Sequence, residues 1–497
     1  MKLRTVSVAV LTAAAAGIAI ADDDAFQGHD FGQFVESRLK TAALPLMGVL
    51  RPLDASAPAT EGPYRTAEQG AGDQVSLAKG LTARYLTRNA ADWTDQMAFY
   101  PAAAPTHLIS CVEGGRQELA GDGLSGYAAG DKFNPSVQRI ELATGKVETV
   151  LRGMSSCDGI RTTPWGSVLV TEETSDGGAY EILNPLLSTE LTVKSRATGE
   201  IVNSTGIPDT AQIVKRTALP TISWEGLEIL PGGVVIGGDE LRPGTPADAD
   251  GGAMFKFMPA VPYTGGSISS LAQSPLAAGS VYALQVSCVG NKQQYGQGCE
   301  VGAAAWLPVG AATARSDADR AGATGYYRPE DLHLDPLFHD DANPQAVRFC
   351  WTNTGNEEAA HYAEVMCAVD RAPDTASATE RTVVVNRFVE GDTDFNSFDN
   401  LAFQPGTGNL YVIEDHPNGD IFACLPDGAD RDIKSDGCVK ILSVKDSSAE
   451  PTGFIFDASG TRAYLSIQHS DDTHMPKVDD YATDDVLVIS GFKLPQR

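Results

Sequence analysis

Positive charge is what this chain has least of. Lys and Arg total 37 against 65 Asp and Glu, a formal net charge of −28 at pH 7. Nucleic-acid binding rests on basic side chains that neutralise phosphates, so nucleic acid is excluded as a partner. An anionic membrane surface is excluded for the same reason. Long apolar runs are scarce too. After residue 20 no segment reaches the length that crosses a bilayer, so no integral membrane segment is expected. Several catalytic signatures are missing. Gly232-Gly233 is a turn with no Lys-Ser/Thr helix behind it, hence no phosphate loop. No serine sits in a nucleophile elbow. His333, His339, His361 and His416 have no metal-ligand spacing among themselves.

The one apolar run that does occur, 6–20, follows Lys2 and Arg4 and ends in the small-x-small site Ala19-Ile20-Ala21. It reads as a signal peptide over 1–21. The absence of an Arg-Arg pair points to the general secretory route. A periplasmic or secreted protein is expected. Eight cysteines fit that compartment. Three pairs are local: Cys288 with Cys299, Cys350 with Cys367, Cys424 with Cys438. Cys111 and Cys157 are left over. They either pair with each other, or Cys157 is a thiolate held for a metal. Acidic excess fits solubility in salt or a demand for hard cations such as Ca²⁺.

Residues 22–104 read as a lead-in, with a short helix over 34–39 and a loop over 52–75. From residue 106 the grammar is β, short apolar runs bounded by Gly, Pro, Asn and Asp. Six runs end in polar clusters: 107–112 at Glu113, 168–170 at Glu172, 234–236 at Asp239 and Glu240, 347–351 at Asn353, 410–413 at Glu414 and Asp415, and 464–467 at Gln468 and His469. Runs with outer-strand character lie between them, at 137–142, 147–151, 281–286, 383–388, 439–443 and 486–490. Five of the six polar-ended runs follow one plan, an acidic or thiol residue, then a Pro/Gly turn, then the run. The leading segments begin at Cys157-Asp158-Gly159, Glu225-Gly226-Leu227, Arg328-Pro329-Glu330, Asp399-Asn400-Leu401 and Glu450-Pro451-Thr452-Gly453. This recurrence predicts an all-β protein, a six-bladed β-propeller over 105–497 with long loop insertions at 241–280 and 300–325.

In a propeller the first strand of each blade lines a central channel. With the polar-ended runs taken as those first strands, Cys157 or Asp158, Glu225, Glu330, Asp399 and Glu450 sit at its mouth. Clustered carboxylates repel, and cations relieve them. Carboxylate oxygens suit Ca²⁺; a thiolate among them suits a softer, redox-capable metal such as iron. Arg328, two residues from Glu330, either pairs with a carboxylate or offers its fork to a phosphate.

The same segments resemble a known family. Cys157, Pro164-Trp165-Gly166 and Glu172-Glu173 resemble the C-x-G-G-x-T-P-W-G-T-W-L-T-C-E-E signature of the PhoX alkaline phosphatases. Trp224-Glu225 resembles that family's His-Glu, Gly238-Asp239-Glu240 its Gly-Asp-Asp, Arg328-Pro329-Glu330 its Arg-Pro-Glu, and Asp399-Asn400-Leu401 its Asp-Asn-Leu. Glu450 with Gln468-His469 resembles its closing Glu-x-Thr-Gly and Gln-His-Pro. Departures are Asp158-Gly159 in place of Gly-Gly and Trp224 in place of His. The resemblance implies a phosphomonoesterase with an iron and calcium cluster in the channel, acting on small phosphorylated substrates. It implies Cys157, Glu225 and Glu330 as iron ligands, Arg328 as the phosphate contact, and Glu172, Asp399, Asn400 and Glu450 on the calcium side. A monomer is expected. The competing expectations are a calcium-dependent lactonase-like hydrolase, which needs no thiolate, and a non-catalytic binding propeller.

Overall fold

The computed structural model describes residues 31–60, 64–119, 132–244, 250–287, 300–426 and 437–494. The expected signal peptide and the Cys288–Cys299 pair lie outside them. The architecture is all-β and propeller-like, with few helices. The longest helix, Phe31–Met47, extends the expected 34–39 segment in both directions. Its Leu39, Ala43 and Met47 are buried with Val439, Ile441 and Phe492 of the sheets.

Six short strands surround the centre of the described structure: β1 (Thr94–Tyr100), β2 (Cys157–Thr162), β3 (Trp224–Ile229), β4 (Pro329–Leu334), β5 (Phe398–Phe403) and β6 (Glu450–Phe456). Each packs against the next, and β6 packs back against β1. Outward from each runs a series of strands, antiparallel except where Leu191–Ser195 joins Val147–Arg152 in parallel. Beyond β2, for example, lie Val168–Glu172, Ala179–Ile182 and Ile213–Lys215. The series of β3 and β4 are joined through Gly302–Val309 into one larger sheet. The series of β6 ends on Thr82–Ala91, which pairs with Thr483–Ser490. The segment expected as a lead-in thus supplies the outermost strand of the last series and the innermost strand of the first. The two ends of the chain meet in one sheet.

The polar-ended runs are not the innermost strands, as the sequence pattern suggested. They come second, and the leading segments are themselves the inner strands. The reason is a bulge at the same place in all six. Thr94 opposes Val112 and Met97 opposes Ser110; Cys157 opposes Glu172 and Ile160 opposes Val170; the other four slip alike. Two residues therefore face one, and the alternation that marks a strand is broken. The inserted pairs are Asp95-Gln96, Asp158-Gly159, Glu225-Gly226, Glu330-Asp331, Asp399-Asn400 and Gly453-Phe454.

Neighbouring inner strands approach backbone to backbone at three of these bulges, at Gly159, Gly226 and Gly453. A Cβ on Gly159 would lie 2.0 Å from the Glu225 carbonyl oxygen, and one on Gly226 2.1 Å from the Leu332 nitrogen. Only glycine fits such an approach. Side chains tie the ring further. Asp331 Oδ2 accepts from the Leu401 N–H at 3.3 Å, and Asn400 Oδ1 accepts from the Gly453 N–H. The Thr452 hydroxyl lies 2.5 Å from Asp95 Oδ1 and 2.8 Å from Asn400 Oδ1.

Disulfides join Cys350 with Cys367 and Cys424 with Cys438, directly opposed residues on paired strands. A third joins Cys111 with Cys157.

Gly226→Ala is predicted to destabilise by about 1–3 kcal/mol, the usual cost of forcing atoms into a packed core. Gly72→Ala, with nothing within 4 Å of the added atom, is the control and should stay near wild type. Chemical denaturation of both variants checks this.

Candidate metal centre

The bulges fix what faces the channel. At the second residue of β1, β2, β3, β4 and β5 stand Asp95, Asp158, Glu225, Glu330 and Asp399, all at most 9 % exposed. At the matching place β6 carries Gly453. Two groups of carboxylates converge, Asp95 with Glu113 and Asp158, and Glu225 with Glu330 and Asp399. Within each, one ligand oxygen per residue lies within 4.8 Å of the others. Both Asp158 oxygens and Glu225 Oε2 are buried without a hydrogen-bond partner.

Above this ring, five of the six second strands hand over to a residue whose N–H bonds the backbone just before the inner strand, Thr354 in the series of β4 and an acid in the other four. Glu113 donates to the Trp93 carbonyl, Glu173 to Ser156, Glu240 to Ser223 and Asp415 to Ser397. These four acids ring the mouth. Among them lies Arg328, in the left-handed conformation at φ 55°. Its Nε is 2.7 Å from Glu240 and 3.1 Å from Glu330, and its Nη1 is 3.4 Å from Asp415. Glu450 receives His469 Nε2 at 2.9 Å.

Below the ring is a polar floor. Arg161 Nη2 reaches Asp331 Oδ1 at 3.1 Å, the Leu332 carbonyl at 2.7 Å and His333 Nε2 at 2.9 Å. His333 also meets Asp331 Oδ2 at 3.1 Å. Although burial pushes the Asp331 carboxyl up, His333 and Arg161 pull it well below the usual range. In the floor the carboxylate is met by Arg161 and His333; in the ring carboxylates face one another. Burial first, then the neighbouring acids, pushes Asp158 and Asp399 far above the ordinary carboxylate value. Glu113 and Glu173 are raised likewise. Burial lifts Asp95 to about 7, and lifts Glu330 to about 8 despite Arg328. Glu450 rises to about 7 through burial, against its bond from His469. His469, in spite of burial, is raised by Glu450 to about 9.

Several expected site residues are placed differently. Cys157 is turned away from the ring. Its sulfur is bonded to Cys111 and packed among Ile109, Val137, Val150 and Val170. Alternation along β2 sends Asp158 into the channel and the preceding side chain into the sheet interface. Glu172 is likewise turned away. It accepts from Arg196 Nε at 2.7 Å, the Ser155 N–H at 2.9 Å and the Gly178 N–H at 3.1 Å. Its neighbour Glu173 faces the mouth. Asn400 Oδ1 is spent on Thr452 and Gly453 in holding β5 to β6. Glu225, Glu330, Asp399 and Arg328 do come together, with Glu450 at the rim. Asp95 and Glu113 were missed as site residues. The signal was present, since Thr94-Asp95-Gln96-Met97 repeats the spacing of Trp224-Glu225-Gly226-Leu227 and precedes a Pro turn and a polar-ended strand.

The donor set is all oxygen. Hard cations fit it: Ca²⁺ takes several carboxylates at once, and Fe³⁺ is a hard acceptor of the same kind. A thiolate-bound metal does not fit, because the sulfur is sealed in a disulfide. Without cations the raised carboxyls favour the folded state only while protonated. The native state then binds more protons than the unfolded one, so stability is full below about pH 4 as far as these groups go and falls as pH rises through 7 to 8. Metal-free protein is predicted to show a falling Tm between about pH 5 and 9, and millimolar Ca²⁺ to restore it. Thermal scans with and without chelator check this; a Tm indifferent to both would contradict it.

Three comparisons with known proteins bear on this centre. Among curated proteins none matches the chain in sequence. Among solved structures, PhoX of Pseudomonas fluorescens in complex with vanadate, a transition-state analogue, aligns at 14 % identity with a TM-score of 0.53, covering 88 % of this chain and 97 % of that one. A gluconolactonase of Xanthomonas campestris aligns at 12 % identity and a TM-score of 0.37, covering 89 % and 99 %. The family model described as alkaline phosphatase PhoX matches residues 115–471, most of the chain and every inner strand from β2 to β6. This chain belongs to the PhoX alkaline phosphatase family.

Proposed function

We propose that the protein is an exported, metal-dependent phosphomonoesterase of the alkaline phosphatase type. It works with Ca²⁺ and Fe³⁺ in the channel of a six-bladed propeller and acts on small phosphorylated substrates. The observation that carries the reading is the convergence of Glu225, Glu330 and Asp399 within 4.8 Å, with Arg328 bonded beside them, in a chain of this family. Six bulged inner strands support the blade count. The leader sequence and the disulfides support a periplasmic or secreted setting.

Glu225, Glu330 and Asp399 would hold one part of the cation cluster, and Asp95, Asp158 and Glu113 the other. Bound there, hard cations supply Lewis acidity toward phosphoryl oxygens and lower the pKa of water toward neutrality. The chain's own residues do the rest. Glu240 and Glu330 hold the Arg328 guanidinium through Nε, and its terminal N–H groups lie at the mouth, 3.4 and 3.5 Å from Asp415 Oδ2. There they stabilise charge on the equatorial phosphoryl oxygens. Arg328 stays charged throughout, since the carboxylates around it outweigh burial. His469 keeps a proton at Nε2 against Glu450. The Arg161–Asp331–His333 floor ties β2 to β4 below the ring and keeps its own carboxylate paired. The chain's net charge repels an anion at long range, but salt screens that field beyond roughly 10 Å, and the decisive contacts are shorter.

Hydrolysis of p-nitrophenyl phosphate at alkaline pH tests the reading. Activity should vanish with chelator and return with added cations. Arg328→Ala should lower kcat about 100-fold or more, the usual effect of removing one transition-state charge clamp, and Glu330→Gln should lower activity and metal content together. No turnover by cation-loaded wild type would refute the reading. A Cys111→Ser/Cys157→Ser variant should lose about 2–5 kcal/mol of stability yet keep its metal content; loss of metal would show that the sulfur matters.

A further inference from the structure

Of the five tryptophans, four are at most 1 % exposed: Trp165, Trp224, Trp306 and Trp351. The fifth, Trp93, is 44 % exposed and stands at the channel mouth. It sits directly before β1 in a left-handed conformation, φ 70°, which a bulky side chain rarely adopts. The backbone is held there at both ends. Its N–H donates to Asp484 Oδ2 at 2.7 Å, and its carbonyl accepts from the Glu113 N–H at 2.8 Å. Ser156, Arg328 and Ser397 take the same conformation at the same place before β2, β4 and β5. The position is therefore one that presents a side chain at the mouth. In β4 it presents the guanidinium, and in β1 an indole.

The indole is braced against the His469 ring, centroids 4.8 Å apart, and His469 is in turn fixed by Glu450 at 2.9 Å. Asp95, in the ring of acids, follows two residues later, about 6–7 Å along an extended chain. A phosphate bound over the ring would place its ester oxygen near the level of the mouth and its alcohol part against Trp93. Folding gives no reason to expose so large an apolar ring in a strained conformation.

We propose that Trp93 is a specificity-determining platform on which the alcohol part of the substrate stacks, so that the site favours phosphomonoesters of flat, aromatic groups, including nucleoside monophosphates, over those of open-chain alcohols. The proposal rests on the phosphatase reading. Stacking of a base on an aromatic side chain gives binding that one substitution reduces about tenfold.

The test compares adenosine 5′-monophosphate with glycerol 2-phosphate on cation-loaded wild type, Trp93→Phe and Trp93→Asn. Asparagine tolerates the left-handed backbone and removes the ring. Trp93→Asn should raise KM for the nucleotide about tenfold and leave kcat and the glycerol 2-phosphate KM unchanged, while Trp93→Phe should keep the preference. Equal effects on both substrates, or none, would overturn the platform. Tryptophan fluorescence gives a second readout independent of turnover. Adenosine should quench wild type saturably and Trp93→Phe not at all. If wild type hydrolyses neither ester, the phosphatase reading fails, and the quenching result alone then decides whether Trp93 binds a flat ring.

Discussion

Mutual repulsion among buried carboxylates is the constraint on which this structure depends. Two ionised carboxylates 4.8 Å apart repel by about 3.5 kcal/mol at an effective dielectric of 20. A group of three holds three such pairs, about 10 kcal/mol, as much as the whole net stability of an ordinary domain. The described residues contain two groups of this kind, above a floor in which Arg161 and His333 already meet Asp331. Either the acids take up protons, as their raised pKa values express, or cations replace those protons. The second solution is the one that would leave an electrophilic centre in the channel at neutral and alkaline pH.

Much of the rest of the fold serves to bring these acids together without losing the sheet. A bulge in five of the six inner strands turns an acid inward while the sheet continues outward. Glycine at the next position in β2 and β3 lets the strands close up. One step further out, pairs of adjacent acids divide two tasks by simple alternation. Glu172, Asp239 and Glu414 turn into the sheet interior, where they hold loops. Asp239, for example, is gripped by Arg315 at 2.6 and 2.7 Å and by the Ser223 N–H at 2.9 Å. Their neighbours Glu173, Glu240 and Asp415 turn to the mouth. A satisfied acid and an active one therefore sit side by side in sequence.

That adjacency explains what could be read from the sequence and what could not. The repeating unit, the all-β class, the local disulfides Cys350–Cys367 and Cys424–Cys438, and the convergence of Glu225, Glu330 and Asp399 with Arg328 were all legible, because they depend on spacing that recurs. The order of strands was displaced by one, since a bulged strand with polar residues facing a channel does not alternate. Neighbouring residues were hard to tell apart for the same reason: of Cys157 and Asp158, both open to the reading, the structure turns Asp158 to the channel, and it turns Glu173 rather than Glu172 to the mouth. Asp95 escaped notice because its strand lies in a segment whose composition reads as lead-in, and only the closure of the ring on β6 shows that it belongs. Nothing in the sequence chose between the two fates of Cys157. The hydrophobic surroundings of its sulfur did.

The most direct test of the account is the metal content of the protein purified without chelator, measured per chain by inductively coupled plasma mass spectrometry before and after chelation and in a variant with Asp158 and Glu225 both replaced by their amides. The account predicts at least one hard cation for each of the two carboxylate groups, lost on chelation and reduced in the variant. A chain that carries no metal and still hydrolyses phosphomonoesters would contradict it.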